Sequence, residues 1–265
     1  MNKGTKMTQT QRRILLIQKL LSEHSRYTDM RIPQNEVAQK QLLRSLMNVR
    51  LPKEISGDFL LVQDEYLREE IAVKGITDIA DLTPIENGIY LWQGDITTLK
   101  CDGIVNAANS GMTGCYVPCH ACIDNCIHTF AGVQLRVECG KLMKKQGYAE
   151  PTGKSKITNA YNLPCKYVLH TVGPIVYGAL TDRNKTELAS CYSSCLALAE
   201  ENGLKSLAFC CISTGEFHFP NEEAARIAVQ TVKAYRERTK SNIKIIFNVF
   251  KDLDYEIYRK LLAKY

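Results

Sequence analysis

The sequence predicts an α/β protein: an α/β sandwich around a mixed, largely parallel sheet, preceded by an N-terminal helical extension. Two observations support this. Residues 1–85 contain only helical patterns, whereas short apolar runs alternate with helical stretches from residue 86 onward. The 265 residues are 45% hydrophobic and 23% charged, which is typical of a globular protein with a sizeable core. We therefore divide the chain into an extension, 1–85, and an α/β domain, 86–265.

The extension is predicted to contain three amphipathic helices, over 9–23, 34–48 and 58–73, separated by Pro33 and Pro52. Each helix is shorter than about 20 residues, and helices of this length are marginal in water unless they bury an apolar face. We therefore expect the extension to pack on the α/β domain.

The α/β domain is predicted to contain six strands and four helices, read from its apolar periodicity. The strands are expected at 89–93, 103–107, 155–161, 167–172, 206–212 and 243–249. The helices are expected at 122–146, 185–202, 221–238 and 253–263.

Charge and composition exclude several classes of function. The net charge of +6 is mild and no basic run is interleaved with aromatic residues, so we expect no nucleic-acid partner. No apolar run approaches the roughly 18 residues needed to span a bilayer, and residues 1–13 lack the apolar stretch of a secretory signal. The 11 cysteines, an odd number, indicate thiols in a reducing compartment. We expect a cytoplasmic protein with no membrane partner.

Three junctions between a strand and the following loop carry unusual residue types, at 94–97, 106–125 and 213–220. In open α/β sheets, ligands bind beyond the carboxyl ends of the strands. These junctions are therefore the candidate binding segments.

Each junction has a functional and a plain structural interpretation. The carboxylate of Asp95 can accept a hydrogen bond from an exocyclic amine such as that of adenine, or it can cap a turn. Asn106 and Asn109 flank two alanines, which lets a ligand approach the backbone, although Asn also favours polar loops. The segment that begins at Ser213 offers backbone N–H groups to an anion before the next helix, although Gly215 alone is also typical of a turn.

Taken together, these segments resemble the macrodomain family of ADP-ribose-binding modules. The motifs occur in the family's order over residues 86–265: Gly94-Asp-Ile-Thr97, Gly103-Ile-Val-Asn-Ala-Ala-Asn109, the run 161–174 ending in His-Thr-Val-Gly-Pro, and Ile212-Ser-Thr-Gly215. The resemblance implies a three-layer α/β/α fold with ADP-ribose lying across the carboxyl edge of the sheet.

The resemblance also implies roles for individual residues. Asp95 and Ile96 would hold the adenine, and Phe250 would lie against it. Asn109 would face the distal ribose. The loop that wraps the diphosphate would consist of Ser213, Thr214, Gly215, Glu216 and Phe217.

One segment departs from the usual macrodomain pattern. Where ordinary macrodomains carry a run of glycines, residues 114–128 are dense in Cys and His. This is similar to the zinc-containing macrodomain subfamily, which also has a helical N-terminal extension. That likeness implies zinc ligands at Cys115, His120 and Cys122, and an acidic residue, Asp124, at the helix start. The donor types agree, because thiolate and imidazole suit zinc and three protein ligands leave a fourth position open, as in catalytic sites.

Two other interpretations of the cysteines stay open. A closed structural site would recruit Cys119 or Cys126 as a fourth ligand, although we expect Cys126 to point along its helix into the core. Alternatively, the four thiols are reduced and bind no metal. His128 and His170 lie in apolar patterns and are interpreted as core or supporting residues, and His218 as a surface imidazole.

The resemblance implies a hydrolase that removes mono-ADP-ribose from modified protein side chains with bound zinc. Asn109 would orient the ribose, and Asp124 would accept a proton or orient a water. Family members are often encoded beside a sirtuin-like ADP-ribosyltransferase and a lipoyl-carrier protein, so a modified lipoyl-carrier protein is the expected partner. Two alternatives are an ADP-ribose reader without turnover, in which zinc only folds the loop, and an esterase acting on O-acyl-ADP-ribose.

Overall fold

The structure is a computed structural model that describes residues 7–263. Within these residues the extension forms three α-helices, α1 (Gln9–Ser22), α2 (Glu36–Val49) and α3 (Gly57–Lys74). Each begins after a side chain that accepts a hydrogen bond from a first-turn N–H: Thr8, Asn35 and Ser56. The three predicted helices are confirmed, with ends that differ by at most two residues.

The α/β domain is built on one six-stranded sheet. Its strands lie in the order β2-β8-β7-β4-β6-β5, and all neighbours are parallel except the edge pair β5 and β6. A separate two-stranded parallel pair joins β1 and β3. The strands are β1 (Thr77–Asp78), β2 (Ile89–Gln93), β3 (Leu99–Lys100), β4 (Gly103–Ala108), β5 (Ser155–Asn159), β6 (Tyr167–Val172), β7 (Ser206–Phe209) and β8 (Lys244–Val249).

Helices cover both faces of this sheet, which confirms the three-layer α/β/α prediction. In the described part of the chain, five α-helices follow the extension: α4 (Ile123–Ala131), α5 (Val133–Gln146), α6 (Asp182–Glu201), α7 (Asn221–Thr239) and α8 (Asp252–Leu262). The helices α6, α7 and α8 pack side by side on one face, and α4 and α5 lie together on the other. Among the described residues, no helix has both the length and the apolarity that a bilayer span requires.

Four predicted elements in this domain were wrong in length. The helix expected over 185–202 begins three residues earlier, at Asp182. The helix expected over 122–146 is two helices, because the chain turns at Gly132 with a φ of +99°, which favours glycine. The strand expected over 155–161 ends at Asn159, and Tyr161 adopts a left-handed φ of +55°. The strand expected over 206–212 ends at Phe209. The apolar residues after it are buried in a loop, so burial rather than sheet pairing explains their pattern.

The extension packs on the α/β domain as expected. Its own apolar core, formed by Leu16, Leu43, Phe59 and others, includes Val133 from α5, and Ile71 belongs to the main core. Polar contacts add to this interface: Gln63 Oε1 accepts from the Val133 N–H at 3.0 Å. The packing prediction is therefore confirmed, whereas the domain boundary at residue 85 stays a proposal.

Candidate active site

The sheet brings the predicted binding segments to one edge. Asp95 follows β2, Asn109 follows β4, Ser213 lies beyond the end of β7, and Phe250 follows β8. All four strands run parallel, so their carboxyl ends meet at the same side of the sheet. Residues far apart in sequence thus lie at one edge of the sheet.

Asp95 caps a turn, which was one of the two roles considered for it from the sequence. It also pairs with a lysine, a contact that was not predicted. Its Oδ1 accepts from the Thr97 N–H at 3.0 Å and from Thr97 Oγ1 at 2.6 Å. Its Oδ2 lies 2.8 Å from Nζ of Lys74, the last residue of α3. Burial opposes ionisation of Asp95, but the hydrogen bonds from Lys74 and Thr97 outweigh it and lower the pKa. The carboxylate is therefore ionised, and its oxygens can accept further hydrogen bonds.

Two other residues were predicted for the adenine end. Ile96 is 2% exposed and packs in the main core, so only its backbone can face a ligand. Phe250 is 74% exposed at the end of β8, which leaves its ring open for stacking on a base. The structure places Phe250 beside the end of β2, because the Gly94 N–H donates to Val249 O at 3.0 Å.

Residues 213–217, called the anion loop, form a tight turn. Ser213 has a φ of +66°, and its buried hydroxyl has no hydrogen-bond partner among the described residues. The loop is closed by a hydrogen bond from the Phe219 N–H to Ser213 O at 2.9 Å. A Cβ at Gly173 would lie 2.0 Å from Ser213 Oγ, so the glycine of the Val-Gly-Pro motif allows the loop to approach.

The anion loop offers backbone donors rather than side chains. Within residues 7–263, the N–H groups of Gly215, Glu216 and Phe217 donate to no protein acceptor. The Thr214 hydroxyl instead turns inward and donates to Cys211 O at 3.0 Å. Successive free N–H groups of this kind suit an anion such as a diphosphate. The carboxylate of Glu216 points elsewhere, to 3.5 Å from His120 Nε2.

Cys115, His120 and Cys122 come together as the sequence predicted. Their donor atoms lie within 4.8 Å of one another, and Cys115 Sγ is 3.6 Å from His120 Nδ1. Tetrahedral zinc with ordinary Zn–S and Zn–N bond lengths requires an S···N separation of about 3.6 Å. Burial raises the pKa of the Cys122 thiol to about 12, so its thiolate form requires a cation nearby. The donor set therefore fits zinc.

The other two cysteines of this segment have different partners. Cys119 Sγ lies 3.2 Å from Ser45 Oγ. Cys126 Sγ accepts from Arg44 Nη2 at 3.5 Å, so it faces α2 and not the main core; the expected direction was wrong because the extension covers this side of α4. Neither thiol joins the three-residue group, which favours the three-ligand set over a closed site.

Asn109 and Asp124 are hydrogen-bonded to each other beside this group. Asn109 Nδ2 donates to Asp124 Oδ2 at 3.2 Å and to Gly114 O at 3.2 Å, next to the first predicted metal ligand. Asp124 is 5% exposed, and burial raises its pKa to about 6. The amide of Asn109 is thus held by a buried carboxylate that binds a proton more readily than usual.

A buried chain of hydrogen-bonded polar groups extends from Asp124 into the sheet. Asn106 Nδ2 donates to Asp124 Oδ1 at 2.8 Å and to His170 Nδ1 at 3.1 Å. His170 Nε2–H then donates to Thr158 Oγ1 at 2.9 Å, and burial lowers the pKa of His170 to about 3. Asn106 was noticed as part of the motif, but its role as a link between Asp124 and His170 was not predicted.

A second group of donor atoms, from His128, Cys139 and His170, also lies within 4.8 Å. All three residues are buried, and both ring nitrogens of His170 already have protein partners. This confirms the interpretation of the two histidines as core and supporting residues. The polar groups of the site thus lie together at the carboxyl edge of the sheet of an α/β/α domain.

The chain is similar to proteins of known family. The macro domain family profile matches residues 105–228. The protein-ADP-ribose hydrolase of Treponema medium is 61% identical over 261 residues, covering 97% of this chain and 100% of that protein. The protein-ADP-ribose hydrolase of Staphylococcus aureus (strain MSSA476) is 50% identical over 222 residues, covering 83% of each. A solved Trypanosoma brucei macrodomain in complex with ADP-ribose is 30% identical with a TM-score of 0.64, covering 83% of this chain and 94% of that one. The chain belongs to the macro domain family.

Proposed function

We propose that this protein is a hydrolase that releases ADP-ribose from mono-ADP-ribosylated protein side chains, using zinc held by Cys115, His120 and Cys122. The observation that supports this most is the position of the three donor atoms beside the Asn109–Asp124 pair, at the sheet edge that carries the anion loop. The relatives at 61% and 50% identity bear the name protein-ADP-ribose hydrolase. Membership of the zinc-containing macrodomain subfamily is part of this proposal.

The nucleotide end is proposed to bind through three contacts. The free N–H groups of Gly215, Glu216 and Phe217 would hold the diphosphate. The ionised carboxylate of Asp95 would accept from the exocyclic amine of adenine while keeping its bonds to Thr97. The exposed ring of Phe250 would stack on the base. Binding here would place the distal ribose towards β4 and Asn109.

The reacting end is proposed to rely on a held amide and a buried carboxylate. Asp124 and Gly114 O fix the amide of Asn109, so that its orientation towards the ribose costs little on binding. Asp124, with its raised pKa, accepts a proton or orients the attacking water. When bound, zinc would supply a Lewis acid for a ribose oxygen or a water. The Glu216 carboxylate, near His120 Nε2, would orient that imidazole.

As the modified partner we propose a lipoyl-carrier protein, modified by a sirtuin-like transferase, in the cytoplasm. This rests on the resemblance to the zinc-containing subfamily. A reducing compartment also suits a site built from two thiolates.

The test is release of ADP-ribose from a mono-ADP-ribosylated lipoyl-carrier protein, with and without a zinc chelator, together with calorimetry of ADP-ribose binding. We expect chelation to abolish release while binding falls only modestly, because most nucleotide contacts lie on the Asp95 side. Equal loss of binding and release would make the metal a scaffold. Binding without any release would favour a reader, and faster turnover of O-acyl-ADP-ribose would favour the esterase.

A further inference from the structure

The segment between β4 and α4, residues 109–122, is called here the metal loop. It contains neither helix nor strand, yet it carries all three predicted zinc ligands. An irregular segment has no backbone ladder of its own, so its donor atoms keep their positions only if other groups bind its backbone. Helix α2 of the extension supplies several of these groups.

Asn48 binds the metal loop where its backbone is unusual. The Asn48 Oδ1 accepts from the Cys119 N–H at 2.9 Å, and Cys119 has a left-handed φ of +54° that non-glycine residues rarely adopt. Asn48 is 1% exposed, and its Nδ2 donates to Thr129 Oγ1 at 2.9 Å. One buried amide on α2 therefore joins the residue before His120 to helix α4.

Arg44, one turn earlier on α2, binds the next residue of the metal loop. Its Nη2 donates to His120 O at 2.7 Å and to Asn125 Oδ1 at 2.9 Å. The amide of Asn125 in turn donates to Val117 O at 2.9 Å. The loop backbone on both sides of Cys119 is thus connected to this one guanidinium.

Arg136 of α5 joins the same helix to the first ligand. Its guanidinium, 4% exposed, donates to the carbonyls of Asn48 and Arg50 at the end of α2 and to Cys115 O at 3.2 Å. A cation at the C-terminus of a helix is stabilised by the helix dipole. The end of α2 and the start of the ligand set are therefore held by one buried side chain.

We propose that helix α2 is a part of the metal site, with Arg44 and Asn48 as positioning residues. They hold the backbone of Cys119 and His120 so that the His120 imidazole stays with the thiols of Cys115 and Cys122. The extension is then needed to retain the metal and not only to stabilise the fold. This inference rests on the proposed zinc site.

The test compares zinc affinity of full-length variants by competition with a chromogenic chelator. In Arg44→Met the contacts to His120 and Asn125 are lost, and we expect affinity to fall roughly ten- to hundredfold, as for other groups that orient metal ligands. Arg44→Lys is the rescue variant. The contacts of Arg44 with His120, Asn125 and Cys126 all come from one nitrogen, and an ammonium carries three donors. We expect it to retain affinity within about threefold of the wild type.

Two more variants complete the design. Asn48→Ala removes the acceptor for the Cys119 N–H and is expected to lower zinc affinity like Arg44→Met. Lys40→Met is the control: it removes a cation from the same helix, but one that pairs with Glu36 and Glu70. It should leave zinc affinity unchanged.

Melting temperatures of the metal-free variants show whether a lower zinc affinity reflects lost positioning or a destabilised fold. A variant that melts like the wild type but binds zinc more weakly has lost positioning. If Arg44→Met binds zinc as tightly as the wild type, or if Lys40→Met loses zinc equally, the proposal is overturned. If Asn48→Ala does not fold, the comparison of Arg44→Met with Arg44→Lys still tests the proposal. A wild-type protein that binds no zinc would instead contradict the proposed function.

Discussion

The two ends of the candidate site are held in place by different means. At the nucleotide end, Asp95 bonds to Thr97 and Ser213 to Phe219, so most key contacts lie within a few residues of the chain, although Asp95 also pairs with Lys74 of α3. At the metal end, the loop backbone is bound by Arg44, which is 76 residues away from His120 in the sequence. The first arrangement depends mainly on local turns after strands, and the second on side chains from another layer of the molecule.

This difference predicts a separation of effects. Changes at the metal end, or in the helices that support it, should lower metal retention and release of ADP-ribose while nucleotide binding persists. Changes at the nucleotide end should lower ADP-ribose affinity and leave the metal in place. Each of the following variants tests that separation.

The largest effect is expected for Cys122→Ala. With one thiolate removed, the site should lose its zinc, and release of ADP-ribose should fall about a thousandfold or more, since Lewis-acid stabilisation amounts to several kcal/mol. ADP-ribose affinity should change only a few-fold. Metal analysis and calorimetry on the same sample measure both. Full zinc occupancy in this variant would move the site towards Cys119 or Cys126.

Deletion of residues 1–80 should be the next most damaging change. It removes Ile71 from the main core and uncovers Val133, and it also removes Arg44 and Asn48 from the metal loop. We expect the melting temperature to fall by about 10 °C or the protein to aggregate, because several kcal/mol of packing are lost. A truncated protein that is monodisperse, equally stable and loaded with zinc would show that the extension is a separate module.

Asn109→Ala should act on turnover alone. The amide bonds to Gly114 O and to Asp124, but it is no ligand of the predicted metal. We expect zinc content to stay at the wild-type value while the rate of release falls roughly a hundredfold, as when a group that orients the substrate is lost. Loss of zinc in this variant would instead mean that Asn109 mainly shapes the loop.

Asp95→Ala should give the smallest effect and only at the nucleotide end. A charge-assisted hydrogen bond to adenine contributes about 1.5–3 kcal/mol, so ADP-ribose affinity should fall roughly ten- to hundredfold with zinc content unchanged. Asp78→Ala is a matched control, because that carboxylate pairs with Lys100 instead. Unchanged affinity in calorimetry of the Asp95 variant would leave this residue with its capping role only.

Much of the fold was predictable because its signals are local. The helices of the extension were found from apolar periodicity and from Pro33 and Pro52, which separate them along the chain. The strand order and the antiparallel edge at β5 involve residues far apart in the chain, and no pattern within one segment indicates them. The break at Gly132 was missed because an isolated glycine within a helical pattern is often tolerated.

The candidate site divides in the same way. The residue types and spacing of Cys115, His120 and Cys122 predicted a compact donor set, and their atoms do converge. The partners Lys74, Arg44 and Asn48 were not predicted, because on the sequence they look like ordinary polar residues of amphipathic helices. Asn106 was different, because a polar residue near the end of a predicted buried strand needs hydrogen-bond partners. Its role as a link could have been predicted from that position.

The sequence by itself therefore determined the classes of element, the α/β/α arrangement and the residue types gathered at the sheet edge. Apolar periodicity, separating prolines and the spacing of donor residues all act over a few residues, so they can be recognised in a single sequence. The tertiary structure decided which side chains support those residues, including the contacts from α2 to the metal loop. Such contacts depend on how separate layers pack, and packing joins atoms whose distance in the sequence carries no information about their distance in space.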